Sequence, residues 1–276
     1  MKSAIHIFTN ELADLRGNYV VARLAHYWRA WGHQVTADPT RAPAAGLGIL
    51  HIDKTRVMPE EVSPTSLPLL NQYILDISKN RFSELRVYQE SLWDGPVIIK
   101  SILNCFGAPE RRADSPGFFE RRRRKLALKS WKLARTLPAR DYPVLQSVHA
   151  VPAWVWERED LIVERFMPEK HGDLYSIRGW LFFGNRGYAY RLFSTAPVVK
   201  TGNITHFEIL EQVPPELEFF RRAHGFDFGK FDYVVVEGRA VVIDMNKTPT
   251  TIAPPDSPRL RDLAEGIYSF QGMPES

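Results

Sequence analysis

The chain has 276 residues, a formal net charge of +4 and a pI near 9.1, with 44% hydrophobic and 12% aromatic residues. That is enough apolar material for a sizeable core, in one large domain or in two to three small ones packed as a unit, and it excludes global disorder. A single cysteine, Cys105, excludes an internal disulfide framework and a cysteine-built zinc site, and it suits a reducing cytoplasm.

In chain order, the opening stretch MKSAIHIFTNELADL is interrupted by His6, Asn10, Glu11 and Asp14, so no signal peptide is read there. Nowhere does an apolar run approach membrane-spanning length. SAIHIF reads as a first strand. GNYVVARLAHYWRAWGHQV follows, with Val20, Leu24, Tyr27, Trp28 and Trp31 at helical spacing and Gly32 as the stop. LGILHID is a second strand, nearly continuous in apolar residues as in a sheet buried on both faces. PLLNQYILDISKNRFSELRV reads as a helix or a strand-to-helix passage that brings Lys79 close to Asp76.

DGPVIIKS supplies a turn and a short strand ending on Lys100. Gly107, Pro109, Pro116 and Gly117 mark residues 107–117 as a loop, and FFERRRRKLALKSWKLARTL, free of Gly and Pro, predicts a helix. The second half is mostly strands. DLIVERFMPE is closed by Pro168, YSIRGWLFF-GNRG-YAYRLF is a hairpin, FDYVVV-EGR-AVVIDMN is another, and SPRLRDLAEGIYSF is a closing helix. The expected fold class is α/β (α+β), with soft boundaries near residues 95 and 165.

The last hairpin carries the sharpest chemistry. With Glu237, Gly238 and Arg239 as a three-residue loop, Val236 faces Ala240, Val234 faces Val242 and Asp232 faces Asp244. Asn246, two residues on, shares their face because strand side chains alternate. Facing carboxylates are destabilising unless something positive lies between them. Three hard oxygen donors suit Mg²⁺, which keeps several waters and shares its other positions with phosphate. The competing reading pairs the two acids with surface Arg or Lys. Without a cation the acids repel, so Asp244→Asn is expected to raise the stability of the empty protein slightly.

The preceding hairpin has the opposite sign. With Asn185-Arg186 as its turn, Phe183 faces Tyr188 and Trp180 faces Arg191, so Arg178 and Arg191 point the same way on neighbouring strands. Two guanidinium groups on one sheet face fit phosphate oxygens; they also read as arginines snorkelling over a core edge. Lys200, in APVVKTGN, adds a cation nearby in sequence, and Lys100 reads either as a phosphate-binding point charge or as a solvent-seeking strand end.

No GxxxxGK[ST] loop, complete GxGxxG, HExxH or GxSxG is present, and GLG at residues 46–48 lacks a third glycine. The basic run from Arg121 to Lys125, followed by Lys129, Lys132 and Arg135, reads as a solvated helix face, a nucleic-acid contact or a lid over an anionic substrate. No aromatics flank it in the manner of a single-strand reader, so nucleic acid is set aside.

Taken together, DISK, GPVIIK, LIVERFMPE and FGKFDYVVVEGRAVVIDMNKTPT resemble the ATP-grasp superfamily. The nearest branch is that of glutathione synthetase and the glutamate ligases that extend peptide tails, and the wording also resembles bacterial members without an assigned substrate. The resemblance runs from about residue 68 to residue 250. It implies an ATP-grasp fold of three lobes, at residues 1–95, 96–165 and 166–276, using ATP with Mg²⁺ or Mn²⁺.

It implies Asp232, Asp244 and Asn246 as metal ligands, Lys79 and Lys100 as phosphate-binding lysines, and Arg178 and Arg191 as phosphate-facing catalytic arginines, with Lys200 in support. It assigns Glu164 to the adenine amino group, Arg165, Phe166 and Met167 to backbone contacts at the hinge, and Glu169 to ribose. Asp244 stands where many members have Glu, and SILNCFGAPE replaces the usual glycine-rich loop. The implied activity is ligation of a carboxylate to an amine or thiol through an acyl phosphate, with a hydroxyl kinase or a non-catalytic nucleotide-binding module as alternatives. Small-molecule or peptide carboxylates and amines are the expected partners, a homodimer is allowed, and the expected location is cytoplasmic.

Overall fold

The computed structural model describes residues 3–10, 18–107, 110, 117–139 and 141–270. The N-terminal part builds β1 (Ala4–Thr9), α1 (Val20–Ala30), β2 (Gln34–Ala37), β3 (Leu47–His51) and β4 (Leu69–Leu70) into a parallel sheet of order β2-β1-β3-β4. Every residue of β3 is buried, as its unbroken apolar pattern requires. β2 was not visible in the sequence, because QVTA is short and mostly exposed. α1 buries Val20, Val21, Leu24, Ala25 and Trp28 and stops at Gly32, whose φ of +88° lets the His33 N–H reach the Trp28 carbonyl at 2.9 Å.

His51 closes β3 fully buried, and neither ring nitrogen has a hydrogen-bond partner among the described residues. Burial first, and the Lys247 charge second, pull its pKa down to about 3. The folded protein therefore keeps the ring neutral while the unfolded chain takes up a proton below pH 6.5. Stability attributable to His51 is full above that pH and falls by ~1.4 kcal/mol per unit as the pH drops further. Urea titrations at pH 6, 5 and 4 should show a shallower loss of stability in His51→Leu, and parallel losses would contradict this burial argument.

Of the helix or strand-to-helix passage expected at residues 68–87, the short strand β4 forms but no α-helix follows it. After β4 the chain turns on Asn71, which is buried with φ +59°, and continues through bends to a single 3₁₀ turn, Lys79–Arg81. Tertiary hydrogen bonds override the helical spacing of Leu70, Ile74 and Ile77. The Asn71 amide donates to the Phe228 carbonyl at 2.7 Å and its oxygen accepts the Asp227 and Phe228 N–H groups at 2.9 and 3.1 Å. Asn71→Ala loses all three and replaces a residue that tolerates the left-handed conformation with one that does not, so a loss of about 3 kcal/mol is expected in urea melts. A loss below about 1 kcal/mol would show that the turn holds without them.

The middle of the chain forms β5 (Val97–Ser101), α2 (Phe118–Ala134), β6 (Val144–Leu145), α3 (Ala153–Trp156) and β7 (Leu161–Arg165), with an antiparallel sheet of order β6-β5-β7. Its core joins Val97, Ile99 and Val163 to Val148, Val151 and Val155. α2 is the expected basic helix, broken by Ser130 at φ −153°, and it buries only Ala127 and Ala134. Most of the loop expected at residues 107–117 lies outside the described residues.

A six-stranded antiparallel sheet dominates the remainder: β8 (Glu169–His171), β9 (Leu174–Phe183), β10 (Arg186–Ser194), β11 (Ile204–Leu210), β12 (Phe228–Val236) and β13 (Arg239–Asn246). Their order is β11-β10-β9-β12-β13, and β8 pairs with β9. One face carries Trp180, Phe182, Phe231, Tyr233 and Met245 and packs on Ile74, Ile77, Phe82 and Leu217, the last from α4 (Pro215–Ala223). From the other face Leu181 and Phe183 pack on α1 and α5 (Pro258–Glu265). None of the described helices is long and apolar enough to cross a membrane.

Candidate active site

Two strand registers decide what faces what. The last hairpin turns on two residues, Glu237 and Gly238 (φ +51° and +81°), so Val236 pairs with Arg239 and Val234 with Val241, not as the three-residue loop requires. A two-residue turn alone would put the acids on opposite faces. A bulge between Tyr233 and Asp232 absorbs Ile243, however, and restores Asp232 directly opposite Asp244. Asn246, opposite Lys230, lies on the same face.

The first hairpin also departs from its expected register. Its turn is Gly184-Asn185, with Gly184 at φ +55°, so Phe183 pairs with Arg186, Trp180 with Ala189, and Arg178 directly with Arg191. Across to β12, Gly179 pairs with Asp232 and Arg178 with Tyr233. Alternation therefore turns both arginines toward the face opposite the two aspartates. Their anions are internal: Arg178 Nε lies 2.9 Å from Glu169, and Arg191 lies 3.2 Å from Glu208. Glu169 Oε1 also accepts the Val235 N–H at 2.6 Å. The expected phosphate roles of Arg178 and Arg191, and the ribose role of Glu169, do not fit this placement.

The aspartate face forms the floor of a cleft of ≈ 350 Å³. One wall holds Lys79, Lys100, Asn104, Phe106 and Tyr142, and the floor holds Ile177, Leu192, Lys230, Asp232, Asp244 and Asn246. Arg165, Phe166 and Met167 line it where β7 leaves the central sheet, and Lys200 lies on its rim, 2.5 Å from Asp141. The volume lies in the range of small-ligand sites.

Each lysine reaches the cleft by a different route. Lys79 sits in a 3₁₀ turn shaped by Asp76, which accepts from the Ser78 N–H at 2.8 Å, and its own N–H bonds to the Ile102 carbonyl at 3.0 Å. Its side chain is 4% exposed, and the ammonium lies 2.9 Å from Asp244 and 3.1 Å from the Leu103 carbonyl. Burial alone would lower its pKa, but the neighbouring Asp244 carboxylate above all outweighs burial and raises it. Lys100 lies on β5, 2.7 Å from Glu164, a carboxylate with no measurable exposure on the paired strand β7. Glu164 is thus held by Lys100 and is not among the residues lining the cleft, which removes it from the expected adenine contact. The Arg165 and Phe166 N–H groups bond to the Leu85 and Pro96 carbonyls at 2.7 and 2.9 Å, so neither N–H is left for a ligand.

Lys230 was missed, although it stands two residues before Asp232 and so must share its face. Its ammonium lies 2.9 Å from Asp232. Burial pulls the Lys230 pKa down, but Asp232, Tyr190 and Asp244 raise it by more. Burial pushes the Asp232 carboxyl up against the pull of Lys230, and the facing Asp244 adds to the rise. Each aspartate therefore holds one ammonium. Among the described residues no group of three or more His, Cys, Asp or Glu is gathered for a metal, so the donor set is two carboxylates and the Asn246 amide. Asn246 Oδ1 already accepts the Thr248 N–H at 2.8 Å, which fixes its orientation and leaves a lone pair.

After β5 the glycine-poor segment achieves a glycine-like path: Cys105, Phe106 and Gly107 have φ of +46°, +58° and +69°. Two of these three residues pay for a conformation that favours glycine. The Phe106 ring stacks on Tyr142 at 4.3 Å, and the Asn104 N–H bonds to Thr55 Oγ1 at 2.8 Å, which together fix the turn against the cleft.

No protein-family model and no curated protein matches the sequence. Among solved structures, the chain is similar to the macrocyclase MdnC bound with precursor peptide MdnA from Microcystis aeruginosa MRC. That similarity has 10% identity and a TM-score of 0.51 over 95% of this chain and 98% of that one. A RiPP-associated ATP-grasp ligase of Chryseobacterium gregarium, in complex with ADP and a leader and core peptide, aligns at 10% identity and a TM-score of 0.49 over 95% and 96% of the two chains. The RimK domain protein ATP-grasp from Sphaerobacter thermophilus aligns at 14% identity and a TM-score of 0.46 over 90% and 92%. The macrocyclase comparison shows a shared mixed α/β fold, matched almost end to end.

Proposed function

We propose that the chain is an ATP-grasp enzyme that ligates a carboxylate to an amine or thiol, releasing ADP and phosphate. The observation that supports this most is the cleft floor: two directly opposed aspartates, each held by a lysine ammonium, with a third lysine on the facing wall. One polyanion with its cation reconciles these charges, which are otherwise poor occupants of buried strands. Lobes at residues 1–95, 96–165 and 166–276 would clasp it.

Asp232, Asp244 and Asn246 would hold Mg²⁺, which when bound supplies charge neutralisation for the phosphates. Lys79 would exchange Asp244 for phosphate oxygens, and Lys100, with three N–H donors, would take a phosphate oxygen while keeping Glu164. Lys230, in place of the two arginines, would face the charge that develops as the γ-phosphoryl moves. Met167 and the hinge carbonyls would border the base. The substrate carboxylate oxygen attacks the γ-phosphorus, the bond to the ADP oxygen breaks, and an acyl phosphate forms. An amine or thiol then attacks the acyl carbon, phosphate leaves, and the nucleophile gives its proton to solvent. Positioning and charge neutralisation carry both steps.

ADP release measured against amino acids, short peptides and polyamines tests the reading, with products followed by mass spectrometry. An amide or thioester with one free phosphate per ADP supports it. A phosphorylated product without free phosphate contradicts the ligase chemistry.

A further inference from the structure

The cross-strand row through the two aspartates continues beyond β9. Asp244 pairs with Asp232, Asp232 with Gly179, and Gly179 with Tyr190 on β10. Side chains in one such row share a face, so Tyr190 lies on the aspartate face of the sheet, next along the row to Asp232 across Gly179. Gly179 leaves a gap between them. A Cβ placed there would lie 2.5 Å from the Tyr190 hydroxyl oxygen and 2.7 Å from Cε2, so the ring occupies the space above Gly179. The hydroxyl thus sits over β9, one strand spacing of about 4.8 Å from β12, where Asp232 and Lys230 stand.

Lys230 pairs with Asp232 at 2.9 Å. A divalent cation on Asp232 takes that carboxylate away and leaves a buried ammonium in need of another acceptor. A phenol oxygen is such an acceptor and carries no competing charge. We propose that Tyr190 is a positioning residue: its hydroxyl accepts the Lys230 ammonium when a cation claims Asp232, and Gly179 is glycine so that it can reach. The inference rests on the metal-dependent reading of the cleft. Burial raises the Tyr190 pKa to about 12, with Lys230 drawing it down and Asp232 pushing it up, so the hydroxyl is protonated at neutral pH and lies within electrostatic reach of both.

Tyr190→Phe keeps the ring and removes only the acceptor. Gly179→Ala keeps the hydroxyl and displaces it. Mn²⁺ titration followed by electron paramagnetic resonance reads cation binding without requiring turnover. Each variant should bind Mn²⁺ roughly fivefold more weakly, the worth of one hydrogen bond, with the double variant no weaker than either single because both remove the same contact. Thermal melts should place Tyr190→Phe within about 2 °C of the parent, which separates the effect from loss of packing.

Unchanged Mn²⁺ affinity in Tyr190→Phe, or losses that multiply in the double variant, would overturn the proposal. A parent protein that binds no Mn²⁺ would overturn the metal reading on which it stands. Normal parent binding with an unaffected Tyr190→Phe rejects the tyrosine alone.

Discussion

Asp244→Asn should reduce Mg²⁺-dependent ADP release by at least about a hundredfold, the scale set when one preorganised charge partner of a transition state is removed. The same substitution should lower the stability of the empty protein by about 1 kcal/mol, the reverse of the expectation from facing carboxylates alone. The reason lies in the two lysines. Asp232 and Asp244 do face each other, but Lys79 and Lys230 each lie 2.9 Å from one of them, so their repulsion is already neutralised. Removing the Asp244 charge leaves the nearly buried Lys79 ammonium with an amide and the Leu103 carbonyl. Steady-state kinetics and urea melts on one preparation check both halves. A more stable variant would restore the simple repulsion argument.

The second large effect concerns Lys100. Glu164 is buried, the Lys100 ammonium at 2.7 Å from Oε2 neutralises it by charge, and neither carboxylate oxygen has a hydrogen-bond donor in good geometry among the described residues. Breaking a buried pair from one side leaves an uncompensated charge, so Lys100→Met should destabilise by about 3 kcal/mol. Adding Glu164→Gln removes that charge and should recover most of the loss, because a broken pair couples its two members. ATP affinity should not recover with it, since the proposed phosphate-binding ammonium is still missing. Recovery of both stability and affinity would assign Lys100 a structural role only.

How much of this was legible depends on which physical rule governed each element. β3 and α1 followed their apolar patterns, and Gly32 ended α1 as its backbone freedom allows. The pairing of Asp232 with Asp244 was correct for an incorrect reason. The turn is one residue shorter than expected, and a bulge at Ile243, which no local signal announces, restores the register. The shifted turn at Gly184 changed the partners but not the shared face of Arg178 and Arg191. That this face is opposite to the aspartates follows from β9 pairing with β12, which puts Gly179 and not Arg178 beside Asp232, and there the arginines found Glu208 and Glu169.

The segment around Lys79 defeated periodicity because the buried amide of Asn71 holds it to β12, a partner more than 150 positions away. Lys230 was legible all along from its two-residue spacing to Asp232, whereas Tyr190 required the full order of the sheet.

The central claim is that Asp232, Asp244 and Asn246 with Lys79, Lys100 and Lys230 form one cation-dependent nucleotide site. Isothermal calorimetry of ATP binding, with Mg²⁺ and then with EDTA, tests it most directly. Mg²⁺ should tighten binding at least about tenfold, a difference of ~1.4 kcal/mol; Asp244→Asn should abolish that gain, and Arg178→Gln should leave it intact because Arg178 lies on the other face of the sheet. ATP affinity unchanged by EDTA, or a gain lost in Arg178→Gln and kept in Asp244→Asn, would contradict the account.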